Sequence, residues 1–325
     1  MSRILVCGAT GFIGANMMRH FAALGHEVHA VHFNRMPYYV ENVIWHKADL
    51  RKDSYEVKCL MENADIVIQA AATTSGSRDI VNTPAIHVTD NAVMNSYLFR
   101  AAVEARVKHV IFFSCSTMFS QGHVTEESVL DIHPKYFGVA QTKLYLERMC
   151  EFFSGIGETK FTAIRHSNIY GPHDKFDLER SHMFGATVAK VMRESWPENS
   201  QVTATEILRR NGVVSVWGSG EESRDLLYIS DLCDFVEVTI EKQSEKFGLY
   251  NCGYGVAFTV NDIVARIIEE SGKKLLVEHD LSAPTIPTSL SLDCTKAREE
   301  LGWNPKVTLP EGIRATLDWY RKNVL

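Results

Sequence analysis

The chain has 325 residues, of which 45% are apolar and 23% charged, and its formal net charge is −6. This size and composition are typical of a globular protein with a large α/β domain and a smaller companion; neither a nucleic-acid surface nor a membrane span is expected. Because the cysteines at positions 7, 59, 115, 150, 233, 252 and 294 have no paired spacing, we expect reduced thiols in a cytoplasmic protein, without disulfides or a metal site.

The N-terminal stretch predicts a strand–turn–helix unit that binds a dinucleotide. The apolar run Ile4–Cys7 indicates a buried parallel strand, and Ala15–Leu24 has helical character. Gly8, Gly11 and Gly14 lie between them. They are expected to allow a tight turn, approach of a pyrophosphate to the backbone and close helix–strand packing, in that order. The candidate contacts with the dinucleotide in this turn are Gly8, Thr10, Gly11, Phe12, Ile13 and Gly14.

The end of the second predicted strand, His26–Phe33, bears on the choice of dinucleotide. An acidic residue there usually binds the adenosine ribose hydroxyls and selects NAD. This chain has Asn34 and Arg35 instead, so a 2′-phosphate is not repelled and NADP is favoured, with NAD as the alternative. The alternative interpretation is that Arg35 is a solvated loop residue with no role in the choice of dinucleotide.

Strands and helices alternate along the rest of the first half, which predicts a doubly wound parallel sheet. Lys108–Phe113 is apolar throughout and is expected to be a central strand. The fourth strand ends in Ala70, Ala71 and Ala72, whose small side chains suit a backbone that passes close to a cofactor. The further elements predicted are strands 43–47, 65–72, 161–166, 213–217, 224–229 and 249–252, and helices 91–105, 137–153, 231–241, 260–271 and 310–323. A polar helical segment with a loop around 196–199 is predicted over 172–212.

A polar cluster follows the central strand, at the sheet edge where ligands of such folds bind. It contains Ser114, Cys115, Ser116 and Thr117. Because adjacent residues at a strand end point in opposite directions, Ser114 and Ser116 share one side and Cys115 takes the other. The cluster is a candidate catalytic group, and the alternative is a hydroxyl-rich turn that caps the next segment. The alternative to a catalytic role for Cys115 is that of a small buried residue that fills space.

Several motifs together resemble the extended short-chain dehydrogenase/reductase family of nucleotide-sugar epimerases, dehydratases and reductases. They are GATGFIG at 8–14, DL at 49–50, Asn91, the polar cluster, RHSNIYGP at 165–172, VWGSGEESRDLLYISDL at 216–232, YNCG at 250–253 and LGWNPKVTLPEGI at 301–313. The stretch YGPHDKF at 170–176, with Ser181 and His182, is similar to the branch of the family that acts on GDP-linked deoxyhexoses.

The resemblance implies a Rossmann-type dinucleotide-binding domain (residues 1–167 plus 226–252) and a nucleotide-sugar-binding domain (168–225 plus 253–325). It also implies a homodimer, in which helices 91–107 and 137–153 of each subunit form a four-helix bundle. The second helix carries enough apolar residues for both a core and an interface.

The family's mechanism places a tyrosine four residues before a lysine on one helix, and this chain departs from that pattern. Lys143 is the candidate lysine, but Val139 stands four residues before it. Tyr136 lies seven residues before Lys143, about 10 Å away along a helix axis. It reaches the site only if the helix begins late and the preceding loop folds in. The proton donors left open are Tyr136, His182, Cys115 and an ordered water.

Other roles are carried over residue by residue from the resemblance. The implied catalytic residues are Lys143, Ser114, Cys115, Ser116, Tyr136 and His182. The implied cofactor contacts beyond the glycine turn are Asn34, Arg35, Asp49, Leu50, Ala70, Ala71, Ala72, Asn91, Lys143 and His166. The implied substrate contacts are Asn168, His182, Lys190, Trp217 and Arg224. The basic residue that family members often carry shortly before the late aspartate, here Asp293, is missing.

Two functions remain open from the sequence. The first is an NAD(P)-dependent enzyme that reduces, oxidises or epimerises a nucleotide sugar, expected to be GDP-linked, at or next to C4. The second is a catalytically impaired dinucleotide-binding sensor or assembly protein that kept the fold and lost the acid.

Overall fold

The structure, a computed structural model, describes residues 1–73, 80, 82–178, 181–193 and 212–325. The α-helices in these ranges are α1 (Phe12–Ala23), α2 (Tyr55–Glu62), α3 (Thr89–Glu104), α4 (Phe137–Ile156), α5 (Met183–Arg193), α6 (Ile229–Lys242), α7 (Val260–Ser271) and α8 (Leu309–Asn323). The strands are β1 (Arg3–Cys7), β2 (Glu27–His32), β3 (Val43–Lys47), β4 (Ile66–Gln69), β5 (His109–Phe113), β6 (Gln121–Val124), β7 (Lys160–His166), β8 (Asn168–Tyr170), β9 (Val213–Trp217), β10 (Ser223–Tyr228), β11 (Phe247–Cys252), β12 (Ala257–Thr259), β13 (Leu276–Asp280) and β14 (Ser289–Leu292).

A parallel sheet of seven strands forms the centre of the first half, in the order β11-β7-β5-β4-β1-β2-β3. Helices α1 and α6 contribute to the core on one face, and α2, α3 and α4 contribute to the core on the other. Every residue of β5 is buried, and the strand lies between β4 and β7. The predicted doubly wound sheet and its apolar central strand are therefore confirmed.

A third core lies outside this sheet. It is built from α5, α7 and α8 together with residues of β9 and β10. Strand β10 connects the two regions, because Leu226 belongs to the third core and the next residue, Leu227, to a core of the large sheet. Strand β6, from the first half of the chain, pairs with β14 from the second. The division into two domains with a boundary at 226 stays a prediction, and that boundary falls inside β10.

The start of α1 differs from the expectation in a way that shapes the site. The helix begins at Phe12 rather than Ala15, because Gly11 takes extended N-cap geometry (φ −86°, ψ 171°). The glycine turn is therefore shorter than expected, and its last glycine, Gly14, lies in the first turn of the helix.

Several short elements were not predicted, among them α2, which is capped by the Ser54 hydroxyl accepting from the Val57 backbone N–H. Of the segment 172–212, Met183–Arg193 is helical, and residues 194–211, including the predicted loop at 196–199, lie outside the described residues. None of the helices described here combines the length and apolar character needed to cross a bilayer. All seven cysteines are free thiols.

Candidate functional site

The site begins at the glycine turn between β1 and α1. Gly8 has φ +72°, a left-handed conformation, and a Cβ added there would lie 2.6 Å from the Ala71 Cα. A Cβ on Gly14 would lie 2.3 Å from the Gly8 carbonyl oxygen. Larger residues at either position would push the helix or the end of β4 away. The turn is thus held by backbone-to-backbone packing that only glycine permits.

Among the described residues, no side chain caps the N-terminus of α1. Gly11 gives no side-chain cap, and the first turn carries no acidic residue. A Cβ on Gly11 would meet only the Gly8 carbonyl oxygen, at 3.2 Å. The first backbone N–H groups of a helix have no partner within the helix, and they lie at the positive end of its dipole. The turn therefore fits the linked phosphates of a dinucleotide.

The adenosine end of such a ligand would lie beyond β2. Asn34 and Arg35 are exposed there. The Arg35 guanidinium donates to the Thr10 carbonyl oxygen at 3.3 Å, which holds it beside the glycine turn. The structure therefore brings the predicted NADP determinant next to the predicted phosphate turn.

The DL pair at 49–50 has one polar member and one core member. The Arg51 side chain donates hydrogen bonds to the Asp49 carboxylate, one of them from Nε to Oδ1 at 2.9 Å. These bonds lower the pKa of the Asp49 carboxyl and fix its orientation. Arg51 also donates to Asp90 at 3.1 Å. The Leu50 side chain, by contrast, is buried in the core of the large sheet. Its predicted cofactor contact is therefore corrected to a packing role for the side chain.

Asn91 supports the wall of the cleft rather than facing it. Its amide donates to the carbonyl oxygens of Thr73 and His87, at 3.0 and 2.8 Å, and its oxygen accepts from the Thr73 N–H at 2.9 Å. These bonds fix the chain just after Ala70–Ala72. The predicted direct contact of Asn91 with a cofactor is corrected to a positioning role, because its side-chain donors are committed to the backbone.

Lys143 and Cys115 lie together below the carboxyl end of β5. The Lys143 ammonium donates to the Phe113 carbonyl oxygen at 2.6 Å, and desolvation lowers its pKa. The Cys115 thiol is 2.9 Å from the Thr117 hydroxyl. Desolvation raises the pKa of this thiol, and the nearby Lys143 charge only partly opposes the rise. Cys115 is therefore a neutral thiol at neutral pH.

The late helix start that Tyr136 needs in order to reach the site is present. The 3₁₀ turn Pro134–Tyr136 leads into α4, which begins only at Phe137. The phenol is within electrostatic range of Arg224 and Cys115, and desolvation raises its pKa. It is therefore protonated at neutral pH. Val139 lies one turn further along α4, at the position that the family gives to its tyrosine.

Two histidines extend this group towards α5. Desolvation lowers the pKa of His166 to about 4, and the charges of Lys143 and His182 act in the same direction. The pKa of His182 is also lowered to about 4, by desolvation and by Lys175 and His87. His182 nevertheless keeps contact with solvent, a combination typical of a side chain in the wall of a cleft. Both imidazoles are neutral at neutral pH.

The predicted substrate residues gather around β8, β9 and β10. The Asn168 amide donates to the Asp225 carbonyl oxygen at 3.3 Å and is exposed. The Lys190 ammonium donates to the Ser215 carbonyl oxygen at 2.6 Å, two residues before Trp217. Trp217 is 37% exposed.

Arg224 faces a segment that comes from far along the chain. Its guanidinium donates to the Thr288 carbonyl and hydroxyl oxygens at 2.7 and 2.8 Å, and to the Ile286 carbonyl oxygen at 3.2 Å. A chain of electrostatic neighbours thus runs from Arg224 through Tyr136 and Cys115 to Lys143. This group continues to the two histidines, because Lys143 and His182 both act on His166.

A comparison with protein families assigns this cleft to a known class. Residues 4–253 match the NAD dependent epimerase/dehydratase family. The chain belongs to this family. Its glycine turn and its Lys143 fit the family's coenzyme, and its Val139 sets it apart at the family's tyrosine position.

Curated members of the family resemble this chain over nearly its full length. The GDP-L-colitose synthase of Yersinia pseudotuberculosis is 26% identical over 325 residues, covering 98% of this chain and 97% of the relative. The GDP-L-fucose synthase of Escherichia coli (strain K12) is 25% identical, covering 99% and 97%.

Solved structures show the same fold. MoeE5 in complex with UDP-glucuronic acid and NAD has a TM-score of 0.82 at 24% identity, with 99% of this chain and 100% of that chain covered. The UDP-glucose 4-epimerase of Thermotoga maritima, solved with UDP-glucose, has a TM-score of 0.81 at 24% identity and the same coverage.

The predicted catalytic role of Ser114 is corrected to a structural one. Its side chain is buried, at 1% exposure, and its hydroxyl donates to Glu147 at 2.5 Å. Glu147 also accepts from the Arg165 guanidinium, at 3.0 and 2.8 Å. Ser114 therefore belongs to a buried ionic network. The other predicted serine, Ser116, is partly buried, and its carbonyl oxygen accepts from the Phe119 N–H at 3.1 Å.

Sequence reasoning missed three features of this site. The Glu147–Arg165 pair joins α4 to β7, and the signal for it was a glutamate four residues after Lys143. Thr117 supports the Cys115 thiol. Lys135 donates to the Thr285 carbonyl oxygen at 3.0 Å. This last contact spans 150 residues, and no local pattern marks it.

Proposed function

We propose that this protein is an NAD(P)-dependent nucleotide-sugar epimerase or reductase that acts on a GDP-linked hexose at or next to C4. The names of its curated relatives, GDP-L-colitose synthase and GDP-L-fucose synthase, support the substrate class. The observation that carries the proposal is the position of Tyr136. A protonated phenol stands at the start of α4, within electrostatic range of Cys115 and Arg224.

The residues of the cleft fit the parts that such a reaction needs. The turn from Gly8 to Gly14 would hold the coenzyme phosphates, and Lys143 would bind its nicotinamide ribose. When bound, the coenzyme supplies hydride transfer to or from a sugar carbon. Tyr136 would donate the proton to the sugar oxygen, a contribution of about a hundred- to ten-thousandfold in rate. The neutral imidazole of His182 suits removal of a proton next to a keto group, the step that epimerisation requires.

We further propose NADP as the preferred coenzyme. Arg35, held beside Thr10, offers a planar cation for a 2′-phosphate. Differential scanning fluorimetry with NADP⁺ and NAD⁺ tests this preference. We expect the larger rise in Tm with NADP⁺, and an Arg35→Gln variant that loses the difference between the two. Equal shifts in the unaltered protein would contradict the preference but not the proposed enzyme class.

The proposed activity is tested by binding and turnover with the same protein. Isothermal titration with GDP-hexoses and UDP-hexoses is expected to show binding of a GDP-sugar, and coenzyme absorbance at 340 nm is expected to change with a 4-keto GDP-sugar. Binding of UDP-sugars alone would contradict the GDP assignment. Protein that binds coenzyme but no nucleotide sugar would overturn the enzyme.

A second function, a catalytically impaired sensor or assembly protein, is favoured by one observation. Val139 occupies the place of the family's tyrosine, whereas the coenzyme residues Gly8, Gly14 and Lys143 are retained. The variant Val139→Tyr separates the two functions, because its phenol lies four residues from Lys143 on the same helix face. A sensor that lost only its acid would gain turnover from this change, and an enzyme already served by Tyr136 would not.

We also propose a homodimer formed through α3 and α4. These helices pack against each other, and the pair presents exposed apolar side chains. The exposed set is Val93, Phe137, Tyr145, Phe152 and Ile156. Two copies of this face would bury it as a four-helix bundle. We retain the cytoplasm as the predicted compartment because the cysteine pattern is that of reduced thiols.

A further inference from the structure

Two cations from distant parts of the chain converge on one short segment, 285–288. Lys135, in the 3₁₀ turn before α4, donates to the Thr285 carbonyl oxygen at 3.0 Å. Arg224, on β10, donates to the Ile286 carbonyl oxygen at 3.2 Å and to Thr288 at 2.7 and 2.8 Å. Both cations are therefore hydrogen-bonded to the same four-residue segment, 285–288, here called the strap.

The strap also touches the turn after Trp217. A Cβ on Gly218 would lie 2.6 Å from the Thr285 methyl carbon, so the Gly218 backbone packs against the Thr285 side chain. Gly218 has φ +72°, and its N–H donates to the Asp280 carbonyl oxygen at 2.8 Å. The segment therefore connects Trp217, Arg224 and the residue next to Tyr136. Trp217 and Arg224 are two of the predicted substrate contacts.

The charges at this strap are not neutralised by the contacts that hold it. Each acceptor in these bonds is an uncharged carbonyl or hydroxyl oxygen. A phosphate oxygen adds the attraction between two full opposite charges, which a neutral carbonyl oxygen does not supply. A diphosphate would therefore bind both cations more strongly than the strap carbonyls do. Lys135 remains exposed, so its ammonium reaches an incoming anion without displacing packed side chains.

We propose that Lys135 is the second cation of the diphosphate subsite, next to Arg224, and that it replaces the basic residue missing before Asp293. This inference rests on the proposed function and names a further residue of that same site. Its ligand is the diphosphate of a nucleoside diphosphate sugar. Since Lys135 precedes Tyr136 directly, it also fixes the sugar end of the ligand close to the phenol.

The test compares GDP and GMP binding by isothermal titration to the full chain. Lys135→Gln is expected to weaken GDP binding by about tenfold, in line with a lost hydrogen bond to a charged group, and to weaken GMP binding less. Lys135→Arg is expected to retain most of the affinity. Binding of NADP⁺ is expected to stay within twofold in every variant, because Lys135 is remote from the glycine turn in sequence and role.

Lys246→Gln is the matched control. Its ammonium is also exposed and donates to a backbone carbonyl oxygen, that of Gly157, at 2.9 Å. Unlike Lys135 it also pairs with a carboxylate, that of Glu158 at 3.1 Å, so it controls for the loss of an exposed ammonium as such. It lies at the amino end of β11, at the sheet edge opposite the cleft. Two results would overturn the role of Lys135 and leave the proposed function standing. One is a GDP affinity of Lys135→Gln equal to that of the unaltered protein. The other is an equal loss of GDP affinity in Lys246→Gln. An unaltered protein that binds neither GDP nor UDP would overturn the proposed function together with it.

Discussion

At the end of β5, the opposite directions of two neighbouring side chains decide which group serves the cleft. Ser114 turns to Glu147 and becomes structural, while Cys115 turns to Thr117 and the Lys143 charge. Desolvation raises the pKa of the Cys115 thiol, so the protonated thiol is favoured over a thiolate nucleophile.

The role of Tyr136 is tested by Tyr136→Phe. We expect kcat for the GDP-sugar reaction to fall by about a hundred- to ten-thousandfold, because a general acid is lost. The KM of the coenzyme is expected to stay within about twofold. Steady-state kinetics at 340 nm measure both.

Tyr145→Phe is the control for this substitution, since Tyr145 is an exposed tyrosine of the same helix. We expect it to leave kcat unchanged. An unchanged kcat in Tyr136→Phe would exclude the phenol as the donor and would leave Cys115, His182 or water.

Asp174 predicts a pH dependence of stability. Desolvation raises the pKa of its carboxyl from 3.8 to about 7, and Gly185 packs against it. Between these two values the folded state keeps a proton that the unfolded state releases. The free energy of unfolding therefore falls as pH rises from about 4 to about 7. Asp174→Asn removes this titration. The Tm of the variant minus the Tm of the unaltered protein should therefore increase from pH 5 to pH 8. Parallel Tm curves over that range would contradict the raised pKa.

At the scale of elements, the β1–α1 unit combines rigidity with an open end. Its glycines bring backbone against backbone, and the helix start carries no capping side chain. The first turn of α1 therefore depends on neighbouring backbone for its position, and its N–H groups stay available to a ligand.

Gly14→Ala tests this packing. A Cβ there would approach the Gly8 carbonyl oxygen to 2.3 Å, so we expect a loss of about 1–3 kcal/mol in the free energy of unfolding. The rise in Tm on adding NADP⁺ should shrink as well. Chemical denaturation and scanning fluorimetry give the two values.

Gly155→Ala, in α4, is the matched change, because a Cβ at that position meets nothing within 4 Å. It is expected to stabilise the protein by roughly 0.5 kcal/mol through helix propensity. If both variants lost stability equally, the close approach at Gly14 would not be the cause of its effect.

Elements of this fold follow from local patterns, and most of the site's contacts do not. Apolar runs such as Lys108–Phe113 and the spacing of Gly8, Gly11 and Gly14 predict β5 and the β1–α1 turn, because periodicity and φ requirements are local properties. The contact of Lys135 with Thr285 joins residues 150 positions apart, and the direction of Ser114 depends on a buried glutamate from another element. Such pairings depend on tertiary packing.

At the scale of the whole molecule, one strand joins the two walls of the cleft. Leu226 and Leu227 of β10 belong to different cores, and Arg224 stands three residues before Leu227 on the same strand. Movement of the third core relative to the large sheet would therefore shift Arg224. Strand β10 thus links Arg224, a predicted substrate contact, to the core of the large sheet.

The proposed homodimer predicts the effect of a charge on the α3–α4 face. Phe152 is 54% exposed on α4, and Phe152→Asp would place a carboxylate in the apolar interface. We expect the dimer seen by size-exclusion chromatography with light scattering to become a monomer. Tyr39→Asp, at an 89% exposed residue before β3, should leave the mass unchanged. An unaltered protein that is already monomeric would contradict the dimer.

The buried pair Glu147–Arg165 also constrains how this sequence can change. Loss of either partner leaves an uncompensated charge in the core, at a cost of about 3–5 kcal/mol, whereas an apolar pair of similar volume is often tolerated. Substitutions at these positions are therefore expected to be harmful one at a time and acceptable together. An evolutionary lineage leaving this pair must cross a fitness valley, and pairwise mutational scanning would reveal it as sign epistasis between positions 147 and 165.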